Sequence, residues 1–276
     1  MKNKLIYFLL MTFLVSAQTT AIKADDASDD EFGIWWINLY DSDPFGLNNL
    51  DYADDEADAF STKMIAEGYS RNFRCTNNNA RENHFENSGD GGDDTYYADA
   101  CDFFYFCGHG AEYRFYFNQD YDGDDIYTYQ VRANNSDVDN EPIWGDTDLE
   151  WAFIHACECL KSSYKTEWND AFEGLHGICG FDTEAGARPN GPTGNWTAYY
   201  LTDGGYDIHD AWREATKKCQ LTTRDGAIYR ARIRIDTTYY DYGDEFIDNM
   251  LPDYGDVGVY FVSFLYSEWD CEWTGS

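Results

Sequence analysis

Short apolar runs recur along the chain and predict the strands of a sheet. They are FGIWWINLY (32–40), SRNFRC (70–75), Phe103 to Cys107, WAFIHAC (151–157), LHGICGF (175–181) and VGVYFVSFLY (257–266). The run at 103–107 does not alternate between apolar and polar positions, which predicts a strand that is buried on both faces. The sequence therefore predicts a sheet whose central strands lie inside the protein.

Two other segments have the apolar spacing of helices. Ala53, Ala57, Phe60 and Met64 are separated by four, three and four residues, and Gly68 ends this pattern. The segment DIHDAWREATKKC (207–219) places Ile208, Trp212 and Ala215 on one side. Because strands and helices interleave through the first two-thirds of the chain, we predict an α/β fold with a mainly parallel sheet.

Two further segments have a strand pattern of their own. AIYRARIRID (227–236) alternates, and it places Arg230, Arg232 and Arg234 on a face expected to meet water or the acidic surface. EYRFYFN (112–118) and DIYTYQVRA (125–133) flank a polar segment and predict a hairpin. In that segment Asp120, Asp122 and Asp124 resemble a calcium loop, although Gly123 stands fourth and not sixth. An Asp-Gly turn explains the same residues, so calcium is only a candidate ligand.

The first residues have the pattern of a secretory signal peptide. Lys2 and Lys4 precede an apolar run from Leu5 to Val15, and Ala17 suits signal peptidase. We therefore expect a signal peptide at 1–17, an acidic spacer at 18–31 and a single domain at 32–276. A membrane anchor is the alternative, but the run is short for a span, and no later segment suits one. The expected location is extracellular or periplasmic.

The charge of the chain limits its partners. The net charge is −33, from 52 acidic and 19 basic residues. Such a surface repels phosphate backbones, so nucleic acid is not an expected partner. Divalent cations, basic partners and a saline environment all remain compatible with it. Aromatic residues make up 18% of the chain, which argues against disorder.

Eight cysteines stand at 75, 101, 107, 157, 159, 179, 219 and 271. In a secreted chain this even number predicts disulfides. If one cysteine is a nucleophile, an odd number remains and at least one more should be free. Asn134 and Asn195 begin glycosylation sequons.

Reactive side chains follow two of the predicted core strands. Gly108-His109-Gly110 follows Phe103 to Cys107, and His155-Ala156-Cys157-Glu158-Cys159 follows the strand that begins at Trp151. Parallel neighbours would bring His109 and Cys157 to the same edge of the sheet. A nearby imidazolium lowers a thiol pKa and activates the sulfur as a nucleophile. The N–H groups of Gly110 and Cys157 could stabilise an oxyanion, each by roughly 3 kcal/mol.

These two motifs, 48 residues apart, resemble those of the caspase-like (clan CD) cysteine peptidases, which include caspases, legumains, gingipains and separase. HACEC is similar to the Glu-Ala-Cys-Glu-Ser of legumains at Ala156, Cys157 and Glu158, and departs at His155 and Cys159. More loosely, the chain from about Phe32 to Cys219 resembles an uncharacterised secreted bacterial and archaeal family of this fold, in segments such as YADDEADAF, FYFCGHG and GLHGICGF.

The resemblance implies a three-layer α/β/α sandwich and a secreted endopeptidase that acts on peptides or proteins and needs no cofactor. In it His109 would be the general base and Cys157 the nucleophile, with Gly110 and Cys157 as oxyanion donors. Caspases and legumains have Gln or Glu at the position of His155. The resemblance therefore does not define the substrate pocket of this chain.

Three other interpretations remain open. Cys107, His109, His155, Cys157 and Cys159 could supply tetrahedral ligands for zinc, although no Cys-x-x-Cys turn is present. A disulfide at Cys157 would remove the nucleophile. The same fold could also serve as a non-catalytic extracellular binding or surface module, stabilised by calcium. We assign structural roles to His84, His176, His209, Trp151 and Trp168.

Overall fold

The computed structural model describes residues 31–41, 45–118, 130–132, 142–248, 250–252 and 258–273. The predicted signal peptide (1–17), the acidic spacer except for its last residue, the calcium-loop candidate (120–125) and the sequon at Asn134 lie outside the described residues.

Eleven strands and three α-helices form the described part of the chain. The strands are β1 Glu31–Trp36, β2 Ser70–Thr76, β3 Phe103–Cys107, β4 Gly110–Ala111, β5 Arg114–Tyr116, β6 Gln130–Arg132, β7 Trp151–His155, β8 Gly177–Phe181, β9 Asp225–Ile235, β10 Thr238–Asp241 and β11 Val259–Asp270. The α-helices are α1 Ala53–Ala66, α2 Pro192–Leu201 and α3 Ile208–Cys219. Short 3-10 segments lie at Asn77–Asn79, Glu82–His84, Ser88–Asp90, Asp94–Tyr96, Lys165–Ala171 and Tyr242–Asp244.

The main sheet has the order β10-β9-β8-β7-β3-β1-β2, and β11 also pairs with β9. Strands β2, β1, β3, β7 and β8 are parallel, whereas β9 is antiparallel to β8, β10 and β11. The predicted α/β class and the mainly parallel sheet are confirmed. A small antiparallel sheet, β4-β5-β6, begins directly after β3. Its β5–β6 pair confirms the predicted hairpin at the residues that the structure describes.

Both faces of β3 are buried, as its apolar run predicts. Phe60 of α1 stacks on Tyr105, with ring centroids 4.7 Å apart, and so covers one face. Phe85 packs edge-on against Phe104, at 5.2 Å, and covers the other. Helix α1 also packs against α2, and α2 against α3, so these helices share one face of the sheet. The 3-10 segment at Glu82–His84, which Phe85 follows, belongs to the opposite layer.

Helices α1 and α3 have sequence features that stabilise them. In α3, the carboxylate of Asp207 accepts a hydrogen bond from the N–H of Asp210, 2.7 Å away, and Lys217 and Lys218 occupy the last turn. In α1 the predicted apolar positions Ala53, Ala57, Phe60 and Met64 are all buried. No α-helix in the described residues is long and apolar enough to cross a bilayer.

Arg230 differs from its prediction. Its side chain is buried and makes two hydrogen bonds to Asp241, from Nε at 2.6 Å and from Nη2 at 2.9 Å. The pairing of β10 with β9 brings this carboxylate beside Arg230. The arginine face of β9 is therefore partly a buried ion pair and not wholly a solvated surface.

The expected disulfides are not present, because all eight cysteines are free. Six are buried, and only Cys75 and Cys157 are partly exposed. The buried thiols pack as small apolar groups and bond to backbone carbonyls, as Cys101 does to Phe103 at 3.4 Å and Cys159 to Ile154 at 3.6 Å. The fold is therefore stabilised by apolar packing and not by disulfides in this structure.

Candidate active site

The two predicted strand ends lie side by side. Strands β3 and β7 pair in parallel with Cys107 opposite His155, and the N–H of Gly108 donates to the carbonyl of His155 at 3.4 Å. His109 and Cys157 follow these paired positions and line one pocket of about 180 Å³. The other residues that line the pocket are Leu50, Cys107, Gly108, His155, Ala185 and Ala187.

The glycines beside His109 allow close packing of the protein against itself. A Cβ atom at Gly110 would stand 2.6 Å from the carbonyl oxygen of Cys157 and 2.7 Å from the Cβ of Ala156. A Cβ atom at Gly108 would stand 2.7 Å from the hydroxyl of Tyr40. A larger residue would therefore displace the Tyr40 side chain at position 108 and the backbone of Cys157 at position 110, so glycine suits both positions.

Tyr40 holds the backbone of His109 in place. The N–H of His109 donates to the Tyr40 hydroxyl at 2.8 Å, and this hydroxyl donates to the carbonyl of Tyr116 at 3.3 Å. The two rings also pack together, with centroids 4.7 Å apart. The hydroxyl thus bridges the last residue of β5 to His109, just beyond the end of β3.

The imidazole of His109 is fixed by a backbone group. Its Nε2 lies 2.7 Å from the carbonyl oxygen of Asn48. A carbonyl oxygen can only accept, so Nε2 carries a hydrogen and donates it, and in the neutral ring the lone pair lies on Nδ1. The loop at Asn48 is held in turn by the side chain of Asn49, which accepts from the N–H of Tyr40 at 2.6 Å. Asn48 has no signal in the sequence, because the group that it contributes is a backbone carbonyl, which every residue has.

The thiol of Cys157 contacts the backbone of Ala185. Sγ lies 3.6 Å from the Ala185 carbonyl and 3.4 Å from the Ala185 N–H. Burial raises the pKa of the Cys157 thiol, and the charge of Glu184 acts in the same direction, while the Ala185 N–H opposes them. The expected lowering of this pKa is therefore wrong for the free protein, in which the sulfur is a protonated thiol at neutral pH.

A tight turn follows Cys157. Glu158 has a φ of 53°, a left-handed conformation that is uncommon for a residue with a side chain. Its N–H donates to the carbonyl of Thr183 at 2.8 Å, which anchors the turn to the end of β8. This conformation turns the chain sharply after β7 and leaves Cys157 beside the pocket.

The two predicted oxyanion donors have backbone N–H groups that the local hydrogen bonding leaves available. The N–H of Tyr116 donates to His109, at 3.0 Å, so the next pair of this antiparallel ladder, Gly110 with Phe115, is a non-hydrogen-bonded pair. The Gly110 N–H therefore points away from β5. The N–H of Cys157 makes no hydrogen bond to any residue in the described part of the chain, although its neighbours Ala156 and Glu158 both donate.

His155 is buried on the inner side of the same pocket. Its Nδ1 lies 2.9 Å from the hydroxyl of Tyr105, and its Nε2 lies 3.5 Å from the side-chain amide nitrogen of Gln220. Burial lowers the pKa of His155 to about 3, and the charge of Arg224 adds to this effect. The imidazole is therefore neutral at physiological pH. Its partners Tyr105 and Gln220 were not predicted from the sequence.

The residues of the zinc interpretation do not converge on a metal site. The only group with metal-ligand spacing among the described residues is Asp207, His209 and Asp210 at the start of α3. There Asp207 caps the helix and Asp210 pairs with Arg213 at 2.8 Å. The thiol of Cys159 instead faces the carbonyl of Ile154.

Comparisons with known proteins give one family and a distant structural similarity. The model of a family described as "Domain of unknown function (DUF6345)" matches residues 34–259. No curated protein matches the sequence. Among solved structures, the chain is similar to caspase-1 from Spodoptera frugiperda, with 15% identity and a TM-score of 0.38, over 68% of this chain and 75% of that chain.

Proposed function

Since the chain belongs to the DUF6345 family, described as a domain of unknown function, we propose a function from its own pocket: it is a cysteine endopeptidase with a His109–Cys157 dyad. The observation that carries this proposal is that both side chains line one pocket at the paired ends of β3 and β7. A nucleophile and a base at one pocket, with unoccupied backbone donors beside them, suit acyl transfer.

In the proposed reaction, Nδ1 of His109 accepts the proton of the Cys157 thiol as sulfur attacks the carbonyl carbon of a peptide. The Asn48 carbonyl holds the opposite nitrogen, Nε2, so the ring keeps its orientation as it becomes positively charged. The N–H groups of Gly110 and Cys157 donate to the oxygen that gains negative charge.

The carbon–nitrogen bond then breaks. His109 returns its proton to the leaving amine, and the acyl group remains on Cys157 as a thioester. Water attacks this thioester with His109 again accepting a proton, which releases the acid and restores the thiol. No metal or redox cofactor takes part in these steps. We propose that the enzyme works outside the cell, on peptides or proteins, after its signal peptide has been removed.

The test is peptide cleavage by the purified protein and by three variants. Cys157→Ser removes the nucleophile and His109→Ala removes the base. His209→Ala is the matched control, since His209 is also a partly exposed histidine but lies at the start of α3, away from the pocket. We expect cleavage to fall by about 10²-fold or more in the first two variants and to remain in the third.

Cleavage that survives Cys157→Ser would overturn the proposal. So would a protein that cleaves no member of a peptide library and whose Cys157 reacts with no peptidyl electrophile. That second result would favour the competing function, a non-catalytic extracellular module on the same fold. The observation that favours the module is the raised pKa of Cys157 and the contact of its thiol with Ala185.

A further inference from the structure

The pocket beside Cys157 has an uncharged lining. Apart from His109 and Cys157 themselves, its walls are formed by Leu50, Cys107, Gly108, His155, Ala185 and Ala187. No Asp, Glu, Lys or Arg lines it among the described residues. A charged side chain that enters such a pocket would lose its hydration without gaining an ionic partner.

His155 does not supply that partner. Its side chain is buried, Nδ1 is engaged by the Tyr105 hydroxyl, and the amide of Gln220 faces Nε2. Gln220 is itself fixed, because it donates to the carbonyl of Gly186 at 3.1 Å and to the hydroxyl of Thr193 at 2.8 Å. His155 therefore contributes a neutral ring to the wall.

Two arginines lie behind this wall and not in it. Arg224 donates from Nη1 to the Gln220 side chain at 2.9 Å and packs against Gly186, between the lining residues Ala185 and Ala187. The guanidinium of Arg188 lies 3.3 Å from the ring centroid of Trp273. Neither arginine forms an ion pair with a residue that the structure describes. Near Cys157 the negative charges of Glu184 and Glu158 oppose the positive charge of Arg224, so the charges behind the lining have both signs and none lies in the lining itself.

The size of the pocket limits the length of its occupant. Its volume of about 180 Å³ is below the range of roughly 300–1,000 Å³ that is typical of pockets for drug-sized ligands. A single short side chain suits this volume. The glycine and alanines in the lining leave room close to Cys157, where the residue before the cleaved bond would lie.

From these observations we infer that the pocket binds a short, uncharged side chain at the substrate position immediately before the cleaved bond. This inference rests on the proposed peptidase function. It differs from what the net charge of −33 indicates, because an acidic surface favours basic partners. The surface attracts a substrate over long distances, whereas the lining of the pocket selects the residue at the cleavage position.

The test uses pairs of peptides that differ in charge but hardly in shape at that position: Asn with Asp, Gln with Glu, and norleucine with Lys. The same side chains are placed in peptidyl acyloxymethyl ketones, whose reaction with Cys157 is followed by mass spectrometry and needs no turnover. We expect the uncharged member of each pair to have a kcat/KM and a labelling rate roughly 100-fold higher. Among the uncharged members, the shorter Asn is expected to react faster than norleucine, because the pocket suits a short side chain.

A substitution in the lining tests directly whether this pocket selects the charge of the substrate residue. Ala187→Asp places a carboxylate in the lining at a partly exposed position, and Ala187→Asn is its uncharged control. The ratio of norleucine to Lys should fall about tenfold in Ala187→Asp and stay unchanged in Ala187→Asn. An unchanged ratio in both variants would contradict the assignment of this pocket to the cleavage position.

The outcomes separate this inference from the peptidase proposal. Cleavage with a charged member preferred in any pair overturns the inference and leaves the peptidase intact, and a preference for Asp over Asn would mean that Arg188 and Arg224 reach the substrate. Selective labelling of Cys157 by uncharged ketones without cleavage supports the pocket and overturns the endopeptidase. No selective labelling and no cleavage overturns both.

Discussion

Two histidines line the same pocket and differ in almost every physical respect. His109 is partly exposed, and one ring nitrogen is held by the Asn48 carbonyl while the other keeps a lone pair. His155 is buried, both of its nitrogens face partners, and its pKa is lowered to about 3. His109 lies two residues after Cys107, the last residue of β3, and His155 is the residue of β7 that pairs with Cys107.

The difference shows that position at a strand end does not by itself make a histidine a base. The side chain must also be able to gain and lose a proton, and desolvation removes that ability from His155. Residue type and motif spacing point to both histidines, but burial leaves only His109 suited to the proposed role of base, and His155 forms part of the wall of the pocket.

The strongest test of this contrast compares His109→Gln with His155→Gln. We expect His109→Gln to lower kcat by about 10²- to 10⁴-fold with little change in stability, because it removes a general base. We expect His155→Gln to lower the free energy of unfolding by about 1–3 kcal/mol, because it disturbs the buried bond to Tyr105. Steady-state kinetics and urea unfolding measure the two effects. Equal losses of kcat would contradict the separate roles.

The next test is the pH dependence of the rate at which Cys157 reacts with iodoacetamide. Its pKa is raised above the ordinary value of 9.0 by burial, so the thiolate fraction should grow about tenfold per pH unit from pH 6 to pH 9. The rate of iodoacetamide labelling, read by mass spectrometry at Cys157 and at the partly exposed Cys75 for comparison, checks this. A plateau for Cys157 below pH 9 would mean that His109 already holds the thiolate in the free protein.

Glu56 extends the contrast to a buried carboxyl group behind the pocket. It accepts from the N–H groups of Arg188 at 3.2 Å and Gly194 at 2.9 Å, and burial raises its pKa from 4.5 to about 8. The folded state thus holds a proton that the unfolded chain has lost. The resulting stability is complete below about pH 4.5 and is lost as the pH rises through about 8.

We therefore expect the free energy of unfolding to fall by up to about 1.4 kcal/mol per pH unit between pH 5 and pH 8. This dependence should be weaker in Glu56→Gln, which cannot ionise, than in the exposed control Glu67→Gln. Urea unfolding at several pH values gives the slopes. Identical slopes in both variants would show that another group carries the dependence.

The smallest expected effect concerns Tyr40. Tyr40→Phe removes the hydroxyl that accepts from the His109 N–H and donates to Tyr116, and should cost about 1 kcal/mol of stability. The position of the His109 ring should loosen, with a several-fold loss of kcat. Tyr206→Phe, at an exposed tyrosine, is the control. A Tyr40→Phe enzyme with full kcat would mean that the glycines and Asn48 are sufficient to place His109.

The sequence predicts the parts of this fold that have a strong periodic signal. The run at 103–107 and the helical spacing from Ala53 to Met64 correspond to β3 and α1, because apolar side chains at those periods must be buried together. Helix α2 was not predicted. Its segment, PTGNWTAYYL, contains a glycine and no apolar helical stripe, and Gly194 packs against the backbone of Glu56 in α1.

Some residues of the candidate site likewise have a clear sequence signal, and others have none. His109, Gly110 and Cys157 are recognisable because their side chains, or the lack of one, are specific to their positions. The Asn48 carbonyl and the Gln220 amide come from distant segments, and their roles depend on chain folding that no local pattern records. The expected exposure of Arg230 was wrong because its partner, Asp241, arrives through the pairing of β10 with β9.

The close approach of Gly110 to the backbone of Cys157 has a consequence for how this protein can evolve. The two segments are held together by main-chain atoms and by the absence of a side chain. Exchanges among Leu50, Ala185 and Ala187 can therefore change the shape and charge of the pocket while the positions of the base and the sulfur are inherited unchanged. Substitutions in the lining are thus expected to change what the pocket can hold without moving His109 or Cys157, provided that position 110 stays glycine.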